Sequence, residues 1–274
     1  MTRAEARRMA PTIAAFLAAL LVPAGAFAQA ATGVASAASA SVSAPARTYA
    51  IVSLIGDEFS VVSRRPDVGT HLNPNERTAL PVPDAIFDRI ATDQLEALLL
   101  RAKPGTPVLR ALIRDPRLFA LQDELLTESS KSHDMRIALH DLLAKAGATN
   151  LFLVTKHHGT PEFAMVDGKL SGPGSIGGIG FYLDNQTTIY NSRTKVGDEG
   201  FLATYAYLTV SMMDLASMRA GKAGTGHETT VSIAAEKGGA SHAWDALTPK
   251  EKVDALDHVI RKAIDASVAG MIPE

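Results

Sequence analysis

The chain has 274 residues, a formal charge of −2 and no cysteine. The missing cysteine excludes disulfides, thiolate metal sites and a cysteine nucleophile. A mildly acidic chain of mixed charge offers no basic footprint for nucleic acid and no polybasic surface for anionic lipid.

The first thirty residues fall into three zones. Arg3, Arg7 and Arg8 give a basic start, Ile13 to Val22 is apolar, and Pro23 leads into a small-residue stretch through Ala28 and Ala30. This is the pattern of a cleavable export signal, with cleavage expected after Ala28 or Ala30. The apolar run is about ten residues, where a spanning helix needs roughly 20, so cleavage is expected over anchoring. A lipid anchor at such a signal needs a cysteine, which the chain lacks. The expected address is therefore the periplasm, with no lipid anchor and no stable membrane insertion after cleavage. Residues 31–46 are almost entirely Ala, Ser, Val and Gly and read as a flexible leader. Residues 47–274 then form a single expected α/β domain of about 230 residues.

Tyr49–Ile55 is rich in β-branched residues and reads as a buried strand. Gly56-Asp57 and Phe59–Ser63 follow, which together suggest a hairpin. A further short strand is expected at Thr78–Val82. Pro83-Asp84 starts a helix, with Asp84 as candidate cap and Ile86, Ile90, Leu95, Leu98 and Leu99 at helical spacing. Val108–Ile113 reads as a strand, Pro116–Leu126 and Ser132–Ala146 as helices, and Leu151–Thr155 as a short buried strand. Ser175–Leu183, Phe201–Met213 and Thr229–Ile233 are the remaining strands. Thr248-Pro-Lys-Glu251 carries the signature of a capping box, and Val253, Leu256, Val259, Ile260, Ala263 and Ile264 make one apolar face behind it. Trp244 is placed to staple that helix down. Hairpins mixed with crossovers predict an α/β (α+β) fold: a single mixed β-sheet with helices packed on it.

The chemical motifs are weak. Ser171–Gly177 contains G-x-G-x-x-G, but a strand follows where a dinucleotide fingerprint needs a helix. Its glycines could instead allow a partner's backbone to approach closely. Ala220–Gly226 has Ala223 where a phosphate loop needs Ser or Thr after the Lys, and reads as a loop between strands. No cofactor is expected. His133 and His140 are seven apart on one predicted helix, about 10 Å along its axis, too far to share an ion. His157 and His158 end a strand, so their rings point to opposite faces and do not chelate one ion. No metal site is expected. The candidate catalytic residues are His71, His157, His158 and Asp57, with His227 able to join them only in three dimensions.

Leu54-Ile-Gly-Asp-Glu-Phe-Ser60 resembles the first block of the SGNH hydrolases, but Glu58 stands in the serine position. The later Asp-x-x-His block is also absent, since Asp254 and Asp257 lie four and one residues before His258. Both nucleophile and base are thereby missing. The stretch Ala50–Ser60, with Val68-Gly-Thr-His-Leu72, resembles a group of exported proteobacterial proteins of no known activity. In element order the chain resembles envelope domains of the CsgG and TolB amino-terminal type, whose Gly-Ala-x-x-Leu lead-in to a strand is matched by Gly147-Ala148-Thr149-Asn150-Leu151. The long excursion before Pro83 departs from that pattern. The expected function is a non-enzymatic envelope module that binds a protein partner. The alternative is a periplasmic hydrolase whose His and Asp residues meet only in the fold.

Overall fold

A computed structural model describes residues 47–65, 75–126, 130–165, 168–191, 196–233 and 242–272. The expected signal and leader, and His71, lie outside the described residues. The strands are β1 (Tyr49–Ser53), β2 (Glu58–Arg64), β3 (Asn75–Pro81), β4 (Val108–Ala111), β5 (Asn150–Lys156), β6 (His158–Gly159), β7 (Glu162–Met165), β8 (Gly168–Ser171), β9 (Ile176–Asn191), β10 (Val196–Asp214) and β11 (Arg219–Ser232). The helices are α1 (Ile86–Ala102), α2 (Pro116–Ala120), α3 (Gln122–Leu125), α4 (His133–Lys145) and α5 (Pro249–Val268). Nine of these strands join in one mixed sheet, and β7 and β8 pair separately. The mixed sheet with packed helices is the fold class that the sequence implies.

The sheet forks along β10. One side of β10 carries β11 from Leu202 to Asp214. The other side carries β9 as far as Tyr207 and β5 from Leu208 onward. Beyond β5 lie β1 and β4, all three parallel; beyond β9 lie β2, parallel to it, and β3. The chain passes from one branch to the other between Ser53 and Glu58. The expected hairpin of Tyr49–Ile55 with Phe59–Ser63 is therefore corrected: β1 pairs with β4 and β5, and β2 with β3 and β9. Leu54 N donates to Val154 O and keeps the chain running along β5 instead of reversing it. The hairpin lies one step later, between β2 and β3.

Three apolar clusters follow from strand alternation. Tyr49 and Ile51 face α1 and α5, with Leu95, Leu99, Val259, Ile260 and Ile264. Ala50, Val52 and Leu54 face the opposite way, onto Leu118, Leu125, Leu139 and Leu143 of α2, α3 and α4. Burial on both faces explains why β1 reads as an unbroken apolar run. In the other branch the β7–β8 hairpin covers the sheet, with the Phe163 ring 4.8 Å from Tyr182 and 5.3 Å from Phe201. Each fully buried Leu, Ile or Phe contributes about 1.5–3 kcal/mol.

α5 starts as its sequence predicts. Thr248 Oγ1 accepts from Glu251 N while Glu251 accepts from Thr248 N, a closed capping box. Trp244 packs edge-on against Phe181 at 5.5 Å, under Lys252 Nζ at 4.1 Å. Asp84 is not a cap: α1 begins at Ile86 with no side-chain cap, and Asp84 and Ala85 both adopt left-handed backbone. Ile86 is exposed, and the buried face of α1 is Phe87, Ala91, Leu95 and Leu99. The expected 116–126 helix breaks at Leu121 into α2 and α3. The Ala220–Gly226 stretch is not a loop but part of β11, where Gly224 and Gly226 let α5 approach closely. A Cβ there would lie 2.0 Å from Ser267 O or Ala263 O. Among the described residues no helix is long and apolar enough to cross a membrane.

Candidate functional site

The parallel strands β1, β4 and β5 all end at the fork. Their carboxyl ends, in an α/β arrangement, are where ligands characteristically bind when neighbouring connections diverge. A cleft of about 240 Å³ opens there. Its lining comes from Gly56–Glu58 after β1, Asp84 and Ala85 before α1, Asp88 on the first turn of α1, Ile113 and Arg114 after β4, Pro116 and Phe119 of α2, and Lys156 at the end of β5.

Asp88 organises the floor. It is only 2% exposed. Its Oδ1 accepts from Ser53 Oγ at 2.6 Å, Ile55 N at 3.0 Å and Gly56 N at 3.2 Å. These donors come from the stretch where the chain leaves β5's side, so the carboxylate supplies acceptors the sheet no longer offers. Gly56 has φ +83°, a left-handed conformation that suits glycine. Burial pushes the Asp88 carboxyl above its ordinary range, against the opposing hydrogen bonds and the charge of Lys156. Lys156 Nζ is 3.8 Å from Glu58 Oε1, and its backbone N donates to Gln122 Oε1 at 2.8 Å. Asp84 (φ 67°) and Ala85 (φ 50°) are consecutive left-handed residues on the cleft wall. Such non-glycine conformations cost on the order of 1–3 kcal/mol each and cluster at working surfaces.

Among the candidate residues that the structure describes, Asp57 lines this cleft. The two histidines do not. His157 is half-buried; burial pushes its ring below the usual histidine range, with repulsion from His158 and His227 adding and Asp123 opposing. His158 is exposed and lies over Gly177, where an added Cβ would be 2.4 Å from the ring. His227 stacks on Tyr207 at 5.4 Å, with Nε2 3.9 Å from Glu162 Oε2, beyond hydrogen-bond reach. A smaller hollow of about 150 Å³ lies there, between Glu162, Lys169, His227 and Thr229. The Tyr207 hydroxyl is committed, accepting from Glu162 N and donating to Thr160 O, both at 3.0 Å. His140 Nδ1 is 3.0 Å from its neighbour Asp141 on the exposed side of α4. Among the described residues no three His, Asp or Glu side chains are placed to hold a metal ion.

The glycines of residues 172–180 serve internal contacts. Gly172 lies under the Tyr182 hydroxyl, Gly177 under His158, and Gly180 against Ser60 O. The residue that sequence reasoning missed is Asp88. Its signal is an acid on the buried stripe of an amphipathic helix, in line with Thr92, Leu95 and Leu99. No protein-family model matches the chain, and no curated protein matches it.

Proposed function

We propose that the chain is an exported protein of the bacterial envelope that binds a protein partner through the cleft at the fork of its sheet, and does no covalent chemistry there. The observation that carries this reading is the cleft lining. It presents carboxylates, a guanidinium, an ammonium and apolar walls, with no side-chain hydroxyl, thiol or imidazole among the described residues that line it. The left-handed Asp84–Ala85 pair is a second support, since strained backbone held on a concave surface is a device of preorganised recognition. The three-zone amino terminus supports the address, and the resemblance to CsgG- and TolB-type envelope domains points the same way. That resemblance concerns element order, and function is argued from the cleft.

The test combines location and capture. Osmotic shock should release the chain with a new amino terminus at Gln29 or Ala31. Affinity capture from envelope extract should recover a defined protein in stoichiometric amount. A chain retained in the cytoplasm, or one that turns over ester, amide or phosphate substrates and recovers no partner, would overturn the reading.

A further inference from the structure

We propose that the cleft receives a cationic nitrogen, an ammonium or guanidinium on a side chain of that protein partner, with Asp88 Oδ2 as its acceptor on the floor. This inference rests on the partner-binding reading above and names the chemistry of the contact.

The two oxygens of Asp88 are used unequally. All three donors reach Oδ1. Oδ2 has no hydrogen-bond partner among the described residues, although the side chain is 98% removed from solvent and lines the cleft. Because the side chain lines the cleft, a donor entering there meets an acceptor oxygen that no described protein group occupies. The surrounding charge selects the donor's sign. Asp57, Glu58, Asp84 and Asp88 face Arg114 and Lys156, so carboxylates outnumber cations by two. Lys156 is drawn toward Glu58 at 3.8 Å. The side chains of Asp57 and Asp84 make no hydrogen bond or ion pair among the described residues. A positively charged visitor therefore meets one buried and two rim acceptors that are not committed.

Size and shape select its source. Small-molecule pockets commonly enclose about 300–1,000 Å³. This cleft, at about 240 Å³, suits one long side chain. Ala85, Ile113, Pro116 and Phe119 supply apolar wall for the methylene stem, while the charged head reaches the acidic floor. The same carboxylates do not converge tightly enough for a metal ion, which leaves a nitrogen cation as the matching charge.

The test uses the full chain and defined probes: acetyl-lysine methylamide, acetyl-arginine methylamide, the uncharged acetyl-norleucine methylamide, and free butylamine. Binding is read by isothermal titration and by amide shifts of Ile55 and Gly56. The capped lysine or arginine should bind, and acetyl-norleucine methylamide at least about tenfold more weakly, the value of one charge-assisted hydrogen bond. Asp88→Asn should lose a similar factor. Its Oδ1 still serves Ser53, Ile55 and Gly56, so the fold is kept. Asp57→Asn with Asp84→Asn, both on the rim, should lose a smaller factor without touching the floor. Affinity should rise with pH through the Asp88 titration, because the ionised form is the acceptor. Equal binding of the norleucine probe, no binding of either cation, or unchanged affinity in Asp88→Asn would each overturn the proposal. Butylamine binding more tightly than both capped residues would transfer the site to a free amine. If capped lysine binds but no envelope protein is captured, the partner-binding reading fails and the cation site stands. If a partner is captured equally by Asp88→Asn, the reverse holds.

Discussion

Asp88→Ala removes one acceptor from three donors at once. Two of those donors are the buried backbone amides of Ile55 and Gly56, at 3.0 and 3.2 Å, and the third is the Ser53 hydroxyl at 2.6 Å. The hydroxyl can rotate to another acceptor, whereas the amides are fixed by the chain. Ile55 N keeps a long contact to Ser53 Oγ at 3.4 Å, whereas Gly56 N is left without an acceptor, and a stranded amide costs about 1–3 kcal/mol. Relief from burying a carboxylate offsets part of this. The expected net loss is about 1–3 kcal/mol, a sizeable share of the 5–15 kcal/mol that typically holds a domain. Asp88→Asn keeps the acceptor and should lose about 1 kcal/mol or less. Urea unfolding followed by circular dichroism measures both through the shift in midpoint. The pH dependence adds a sign. The folded Asp88 carboxyl titrates above its ordinary 3.8 because of burial, so the stability tied to its protonated form is full below that value and lost as pH rises through the folded one. The stability of wild type relative to Asp88→Asn should therefore fall as pH rises through that window. Equal losses for Ala and Asn would refute the acceptor role, and a relative stability that rises with pH would refute the burial assignment.

Asp184 should behave in the opposite sense. Burial alone would raise its carboxyl, but donors from Gln186 N, Thr187 N and Oγ1, and Arg64 together hold it below the ordinary range. Its contribution is present above 3.8 and disappears as pH falls through the lower folded value, so Asp184→Asn should cost about 1–3 kcal/mol at neutral pH and progressively less in acid. Gly226→Ala drives a Cβ to 2.0 Å from Ala263 O and 2.6 Å from Ser267 Oγ, with no flexible end to give way at the carbonyl. It should cost about 1–3 kcal/mol or more, which a thermal melt reads as a fall of several degrees.

Much of the scaffold was legible because its signals are local. β1 and β5 are short apolar runs with β-branched residues, and the start of α5 is written in Thr248, Pro249 and Glu251. Other elements were misread where a local pattern has two solutions. Ile55-Gly56-Asp57 between two apolar runs looks like a hairpin turn, and a carboxylate 33 residues away decides otherwise. The strands β9, β10 and β11 run longer than their apolar parts. Asn185–Asn191 belongs to the extension where β9 pairs with β10 alone, and Arg219–Thr225 to an outer strand with mostly exposed residues, so apolar side chains are sparse in both, with Ile189 the buried exception. The cleft was the least legible feature. Asp57 stood out beside a glycine, but Glu58, Asp84, Asp88, Arg114 and Lys156 are scattered charges that meet only because three parallel strands end together. The adjacent histidines drew notice for their chemistry, yet His158 lies exposed and His157 spends its backbone on Tyr207 and Gly178.

Site-specific photocrosslinking in intact cells tests the central claim most directly. A photoreactive residue replaces Arg114 on the cleft rim in one strain and the exposed Ile137 of α4, which does not line the cleft, in another. The account predicts a discrete protein adduct from position 114 in the envelope fraction, diminished by Asp88→Asn, and none of that mass from position 137. No adduct at 114, or the same adduct from both positions, would contradict it.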